Sequence, residues 1–361
     1  MNRQRSIGIM TRRLWIRNPA TPPINTRCSS FRQYSSTKHL PDDNFERYES
    51  FQNRPKTALV VGSSGSLGRT LTKHLSKTLG VTIIGADVAE PKKQDEQYLK
   101  GGFVELPTFE SGPAGLQDLT MAMTDGLYQL LEQDTQSNPT KLDAVICVAG
   151  AWEGDPPALP LNDNDDSESK RMQILEGAHA YAQTIDNMMG KNLYPVLAAG
   201  YASQHYMESG RKQPQHYDDH DDASDGCLFV AIGATAALNS TPGMLGYGLS
   251  KVATHHYLQT LGETTGLAMT SKSKRQETRS LRMQHKHLQT LSVVGILPTT
   301  IDTQANREAM PDANFNEWTK SMDIAKEIGS WLQEPSLRPH SGSLLKVHPN
   351  KMGGADFRVA R

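Results

Sequence analysis

The chain has 361 residues, room for two average domains or for one α/β domain with insertions. Lysine and arginine number 38 against 39 acidic residues, a formal charge of -1, so no global field draws the protein to nucleic acid or a membrane surface. Its longest apolar stretches are strand-sized, short of the roughly 18 residues that span a bilayer. A soluble protein with small-molecule chemistry is therefore expected.

In chain order, the opening is the first distinctive segment. Arg3, Arg5, Arg12, Arg13, Arg17, Arg27, Arg32 and Lys38 precede any acid, the first being Asp42. A basic, Ser-rich, acid-free opening containing TRRLWIR has the composition of an organelle transit peptide, and RQYSS (32–36) resembles a mitochondrial processing site with cleavage after Tyr34. A mitochondrial address is expected for residues 1–45. The alternative is a simple tail on a cytoplasmic protein. Cys28, Cys147 and Cys227 lack metal-ligand spacing, and their number points to a reducing compartment and buried thiols.

From Lys56 the texture is α/β. TALVVG reads as a strand and GSSGSLG as a glycine turn; RTLTKHLSKTLG then carries Leu71, Leu75 and Leu79 at helical spacing. VTIIGAD, LDAVICVAG, CLFVAIG and LSVVGILP follow as apolar runs without polar alternation, the pattern of parallel strands covered on both faces. Between them NDNDDSESK (162–170), HYDDHDDASDG (216–226) and SKSKRQETRSLRMQHKH (271–287) are too polar for a core. They read as solvated loops within insertions 155–180, 210–225 and 270–290. Their histidines have no fixed spacing, so no metal is expected.

Gly62, Gly65 and Gly68 lie between the first strand and its helix, where glycines allow close approach of a pyrophosphate to the free amides of the helix N-terminus. A glycine turn with no ligand is the competing reading. Asp87 ends the second strand; a carboxylate there accepts from adenosine ribose hydroxyls and repels a 2'-phosphate, favouring NADH, with NADPH as the alternative because Lys92 and Lys93 follow. Asp87 alternatively terminates its strand or caps the next helix. Further on, GYGLSK sets Tyr247 four residues before Lys251, on one helix face. An ammonium beside a phenol is expected to lower the phenol's pKa from about 10 and make it a proton-transfer group.

Together GSSGSLG, VAG (148–150) and YGLSK resemble the short-chain dehydrogenase/reductase superfamily. LDAVICVAGAWEG, GATAALNSTPGMLGYGLSK, LPTTIDT with NREAMPDANFNEWT, and SGSLLKV are similar more closely to the quinonoid dihydropteridine reductases, with gaps, from about Thr57 to Val347. That resemblance implies a Rossmann-type, doubly wound parallel sheet in one domain over residues 56–350, a C-terminal tail at 351–361, and a homodimer formed through long helices. It implies NADH-dependent reduction of a quinonoid dihydropterin, with Tyr247 as proton donor and Lys251 on the nicotinamide ribose. Gly62, Gly65, Ser66, Leu67 and Gly68 would line the pyrophosphate loop, Asp87 the adenine ribose, and Ala149 and Gly150 the cofactor's flank. Trp152 would lie near the pterin, and Pro298, Thr300 and Thr303 where the family closes over the nicotinamide. Asn192 matches the superfamily's active-site asparagine, a position at which dihydropteridine reductases tend to differ. Each has a plainer alternative: Trp152 as core, Asn192 facing solvent, the threonines as helix caps.

Most members of the superfamily place a serine about thirteen residues before the tyrosine to hold the substrate oxygen, where one donor contributes roughly 2.7–4 kcal/mol. Here Ala234 stands at that position. Dihydropteridine reductases lack the serine too, and their substrate is already electrophilic. The alternatives left open are reduction of another quinonoid or carbonyl compound, and a non-catalytic NAD-binding redox sensor.

Overall fold

β1 (Thr57–Val61) is buried at every position, as its unbroken apolar run requires. A glycine turn leads into α1 (Ser66–Leu79), whose Leu71 and Leu75 are fully buried. Gly80, at φ +69°, ends that helix in the left-handed conformation that glycine tolerates, and Val81 N–H then donates to Leu75 O at 3.1 Å. The computed structural model describes residues 55–109, 112–131, 141–157, 166–207, 226–266, 291–350 and 353–360.

The remaining elements alternate: β2 (Thr82–Asp87), β3 (Gly102–Glu105), α2 (Leu116–Leu131), β4 (Ala144–Cys147), α3 (Ser167–Met188), α4 (Tyr194–Tyr206), β5 (Leu228–Ile232), α5 (Leu245–Gly266), β6 (Ser292–Pro298), α6 (Gln304–Ala309), α7 (Ser321–Gln333), β7 (Ser343–Pro349) and β8 (Ala355–Val359). Among the described residues the main sheet runs β8-β7-β6-β5-β4-β1-β2-β3, parallel throughout except that β8 is antiparallel to β7. Register is continuous through the centre, Leu59 pairing with Ile84 on one side and Val145 on the other. This is the Rossmann-type doubly wound sheet expected, in one compact unit.

Two apolar layers flank it. Ala58, Val60 and Ile83 pack with Leu71 and Leu75 of α1 and with Ile324, Ile328 and Trp331 of α7. Leu59, Val61, Val145 and Phe229 face Met123 and Leu127 of α2, Val196 and Ala199 of α4 and Leu258 of α5. Each buried Val, Leu, Ile, Met or Phe side chain contributes roughly 1.5–3 kcal/mol by leaving water.

Two expectations change. Residues 355–359, expected as tail, add β8 to the sheet edge, with Val347 opposite Phe357. Residues 167–180, expected within a polar insertion, are the first part of α3: Asp166 accepts from Ser169 N–H at 2.7 Å as its N-cap and Glu168 complements the dipole. The acid cluster is thus partly a helix-start signal. The 216–225 and 271–287 segments, like residues 1–45, lie outside the described residues.

Candidate active site

Strand order reverses between β1 and β4, the point at which doubly wound sheets bind ligands beyond their carboxyl ends. Gly62 has φ +87°, and a Cβ there would lie 2.7 Å from Ala149 Cα, so the loops after β1 and β4 meet only because residue 62 is glycine. Gly62 N–H donates to Ala86 O at 2.7 Å, fastening the turn to β2. Asp87 completes the fastening: Oδ2 accepts from Ser64 N–H at 2.8 Å and Oδ1 from Ala89 N–H at 3.1 Å. The carboxylate at the end of β2 therefore shapes the glycine loop.

The first turn of α1 is formed by Ser66, Leu67 and Gly68 behind Gly65, with no side-chain cap and no acid. Ser63 Oγ is buried and has no partner. Helix-start amides without an anionic cap, beside an unsatisfied hydroxyl, are the donor set a nucleotide pyrophosphate requires. The residues present fit that group.

Beyond β4, Ala149 and Gly150 open onto the second half of the site. A Cβ on Gly150 would lie 2.8 Å from Asn192 Oδ1 and 3.3 Å from Lys251 Nζ, so both groups converge on this backbone. Asn192 is fully buried, not solvent-facing: its Oδ1 accepts from Ala151 N–H at 3.1 Å and its Nδ2 donates to Met188 O at 3.1 Å. It sits in a π-helical turn, Met189–Leu193, that joins α3 to α4. Such turns widen a helix locally and recur at functional sites.

Lys251 is 4% exposed; its Nζ donates to Ile232 O at 3.0 Å and lies 5.9 Å from the Tyr247 ring centroid. The pair is together as expected, but its electrostatics differ. Burial pushes the Tyr247 phenol up to about 12 instead of the ammonium drawing it down. Burial likewise lowers Lys251 to about 8, with a smaller opposing contribution from Cys147. Desolvation disfavours both charged forms, so at neutral pH the site holds a phenol and an ammonium. α5 comes this close to α3 because residue 246 is glycine, where a Cβ would lie 3.1 Å from Ile185 Cα.

Trp152 is no core residue: it is 63% exposed, with its Nε1–H directed at Met244 Sδ at 3.4 Å. Pro298 ends β6, and the segment after it pairs Ile301–Asp302 with Thr319–Lys320. Thr300 O accepts from Thr319 N–H at 2.8 Å, while Thr303 Oγ1 accepts from Asn306 N–H at 3.2 Å and caps α6. Arg307 holds this flap to Asp302 through bonds of 2.6 and 2.9 Å and stacks 4.5 Å over the Phe315 ring.

Two site residues escaped the sequence reading. His255 accepts from Ala234 N–H at 3.1 Å through Nε2; burial, and then the nearby Lys251 charge, lower its pKa to about 4, so it is neutral. Its position, four beyond Lys251, was the signal available. Asp155 Oδ1 accepts from Leu245 N–H at 2.7 Å and its own N–H donates to Gly243 O at 2.8 Å, joining the Trp152 loop to the start of α5. Nothing local marks that contact.

No family model matches the chain. It is similar to a dihydropteridine reductase of Dictyostelium discoideum, 28% identical over 292 residues, covering 81% of this chain and 94% of that protein. A 3-oxoacyl-[acyl-carrier protein] reductase from Brucella melitensis superposes with a TM-score of 0.50 at 15% identity, over 81% of this chain and 96% of that one. A short chain dehydrogenase family protein from Francisella tularensis gives 0.49 at 14% identity, over 81% and 97%. The Brucella likeness speaks for the fold alone.

Proposed function

We propose that this chain, a relative of the Dictyostelium dihydropteridine reductase, is an NADH-dependent reductase of quinonoid dihydropterins, with NADPH as the alternative donor. The observation that carries the reading is the convergence of Asn192 and Lys251 on Gly150, with the Tyr247 ring 5.9 Å from the Lys251 ammonium, beside a glycine loop able to hold a pyrophosphate. Gly62, Gly65, Ser66, Leu67 and Gly68 bind the diphosphate, Asp87 the adenine ribose, and Lys251 the nicotinamide ribose. The dinucleotide supplies the hydride when bound.

Tyr247 gives the proton. A phenol raised to about 12 is fully protonated at neutral pH, and the phenolate left by donation is stabilised by the Lys251 ammonium. One hydride and one proton convert the quinonoid dihydropterin to the tetrahydropterin. Ala234 offers no side-chain donor, which suits an electrophile that needs no oxyanion support. Trp152 supplies an aromatic face to the pterin ring, and Pro298, Thr300 and Thr303 belong to the segment that closes over the nicotinamide.

A homodimer is favoured by Met172, Ile174 and Leu175 of α3 and Leu249 and Val252 of α5, exposed on helices that pack together. Mitochondrial delivery rests on the basic, acid-free composition of residues 1–45. Among the described residues no helix is long and apolar enough to cross a membrane.

The test is NADH oxidation by the purified protein while an oxidant generates the quinonoid substrate from tetrahydropterin. Turnover well above the uncatalysed rate is expected, and Tyr247→Phe should lower it roughly 10²–10⁴-fold with the fold intact. A rate no higher than background would refute the reading. Asn192 favours one competitor, reduction of another quinonoid or carbonyl compound; a substrate panel run in parallel would reveal it as faster turnover of such a compound.

A further inference from the structure

Tyr247, Lys251 and His255 recur every four residues and so form one stripe on α5. Two of them reach across to the same short piece of backbone. Lys251 Nζ donates to Ile232 O at 3.0 Å, and His255 Nε2 accepts from Ala234 N–H at 3.1 Å. Between these contacts Gly233 N–H donates to Ile296 O at 2.8 Å, and Thr235 Oγ1 donates to Leu297 O at 2.7 Å. The four bonds pin residues 232–235, the wall that follows β5, between α5 and β6.

The imidazole is fitted to this place. Its side chain is buried, at 5% exposure, and a Cβ at residue 233 would lie 2.7 Å from His255 Cδ2, so the ring occupies the space that Gly233 leaves. With Nε2 accepting, the ring hydrogen resides on Nδ1. The Ala234 amide, at the position where a hydroxyl donor is otherwise expected, is thereby consumed internally. We infer that His255 is a positioning residue: by holding the Ala234 amide it sets the register of α5 against the end of β5, and with it the placement of Lys251 and Tyr247. The inference rests on the reading of that pair as the reacting groups.

His255→Phe keeps the ring volume and removes the acceptor; His255→Gln keeps an acceptor that never protonates. Amide hydrogen exchange of a peptide spanning 232–238 reads the clamp without any substrate. Exchange should accelerate in the Phe variant and return close to the wild-type rate in the Gln variant. In the quinonoid dihydropterin assay the Phe variant should lose roughly ten- to a hundredfold in kcat, and Gln should restore most of the loss. Unchanged exchange in His255→Phe, equal impairment of both variants, or a kcat unaffected by Phe would each overturn the inference. Absence of turnover in the wild-type protein would instead refute the proposed reaction, and the exchange data would still decide the clamp.

Discussion

At the scale of single residues, the site is governed by what burial does to charge. Tyr247 and Lys251 are close, yet the phenol rises to about 12 and the amine falls to about 8, because each loses more hydration than the other replaces. The sign of the resulting pH dependence follows directly. In the proposed mechanism the ammonium stabilises the phenolate; it is present below about 8 and is lost as pH rises through that value, whereas the phenol itself does not titrate until much higher. The free-enzyme profile, kcat/KM, should therefore fall on the alkaline side near pH 8, and the limb should move up and out of range in Lys251→Arg. A limb unmoved by that substitution would assign it to another group. The spacing of Tyr247 and Lys251 was readable from the five letters YGLSK. The direction of their shifts was not, because it depends on what β4, β5 and the π-helical turn place around them.

At the scale of elements, helix ends carry most of the information that periodicity lacks. The run from Leu245 is recognisably helical, but its cap, Asp155, stands 90 residues earlier in the chain. That carboxylate satisfies an orphan amide and complements the dipole at the end of α5 that carries Tyr247. Asp155→Ala should cost about 1 kcal/mol of stability in urea unfolding, and Asp155→Asn, which retains an acceptor, distinctly less. Equal losses would mean that charge, not the hydrogen bond, stabilises the helix start. The same scale explains the misread stretch 167–180. Its acids looked like solvated loop, yet Asp166 and Glu168 are the cap and first-turn residues of a 22-residue helix. Asn192 likewise looked ambiguous, since no local pattern announces the π-helical turn that turns it inward.

At the scale of the whole molecule, the strand order and its reversal put the glycine loop, Ala149 and α5 at one end of the sheet. α3 and α5 pack against each other yet leave Ile174, Leu249 and Val252 exposed, at 57%, 46% and 48%. If these exposed apolar residues join two copies, Leu249→Glu with Val252→Glu should convert a dimer to a monomer in sedimentation, without unfolding it. A dimer that survives both charges would place the interface elsewhere.

The amino-acid sequence by itself determined the alternation of strands and helices, the glycine loop and the Tyr247–Lys251 spacing. These depend on backbone dihedrals and side-chain periodicity over a few residues, which the local sequence controls. Only the tertiary structure decided that Asn192 is buried, that Asp155 caps α5, that residues 355–359 join the sheet and that His255 holds Ala234. Those are contacts between segments tens of residues apart, and the free energy of a polar group depends on the partners and water that the packed chain leaves it.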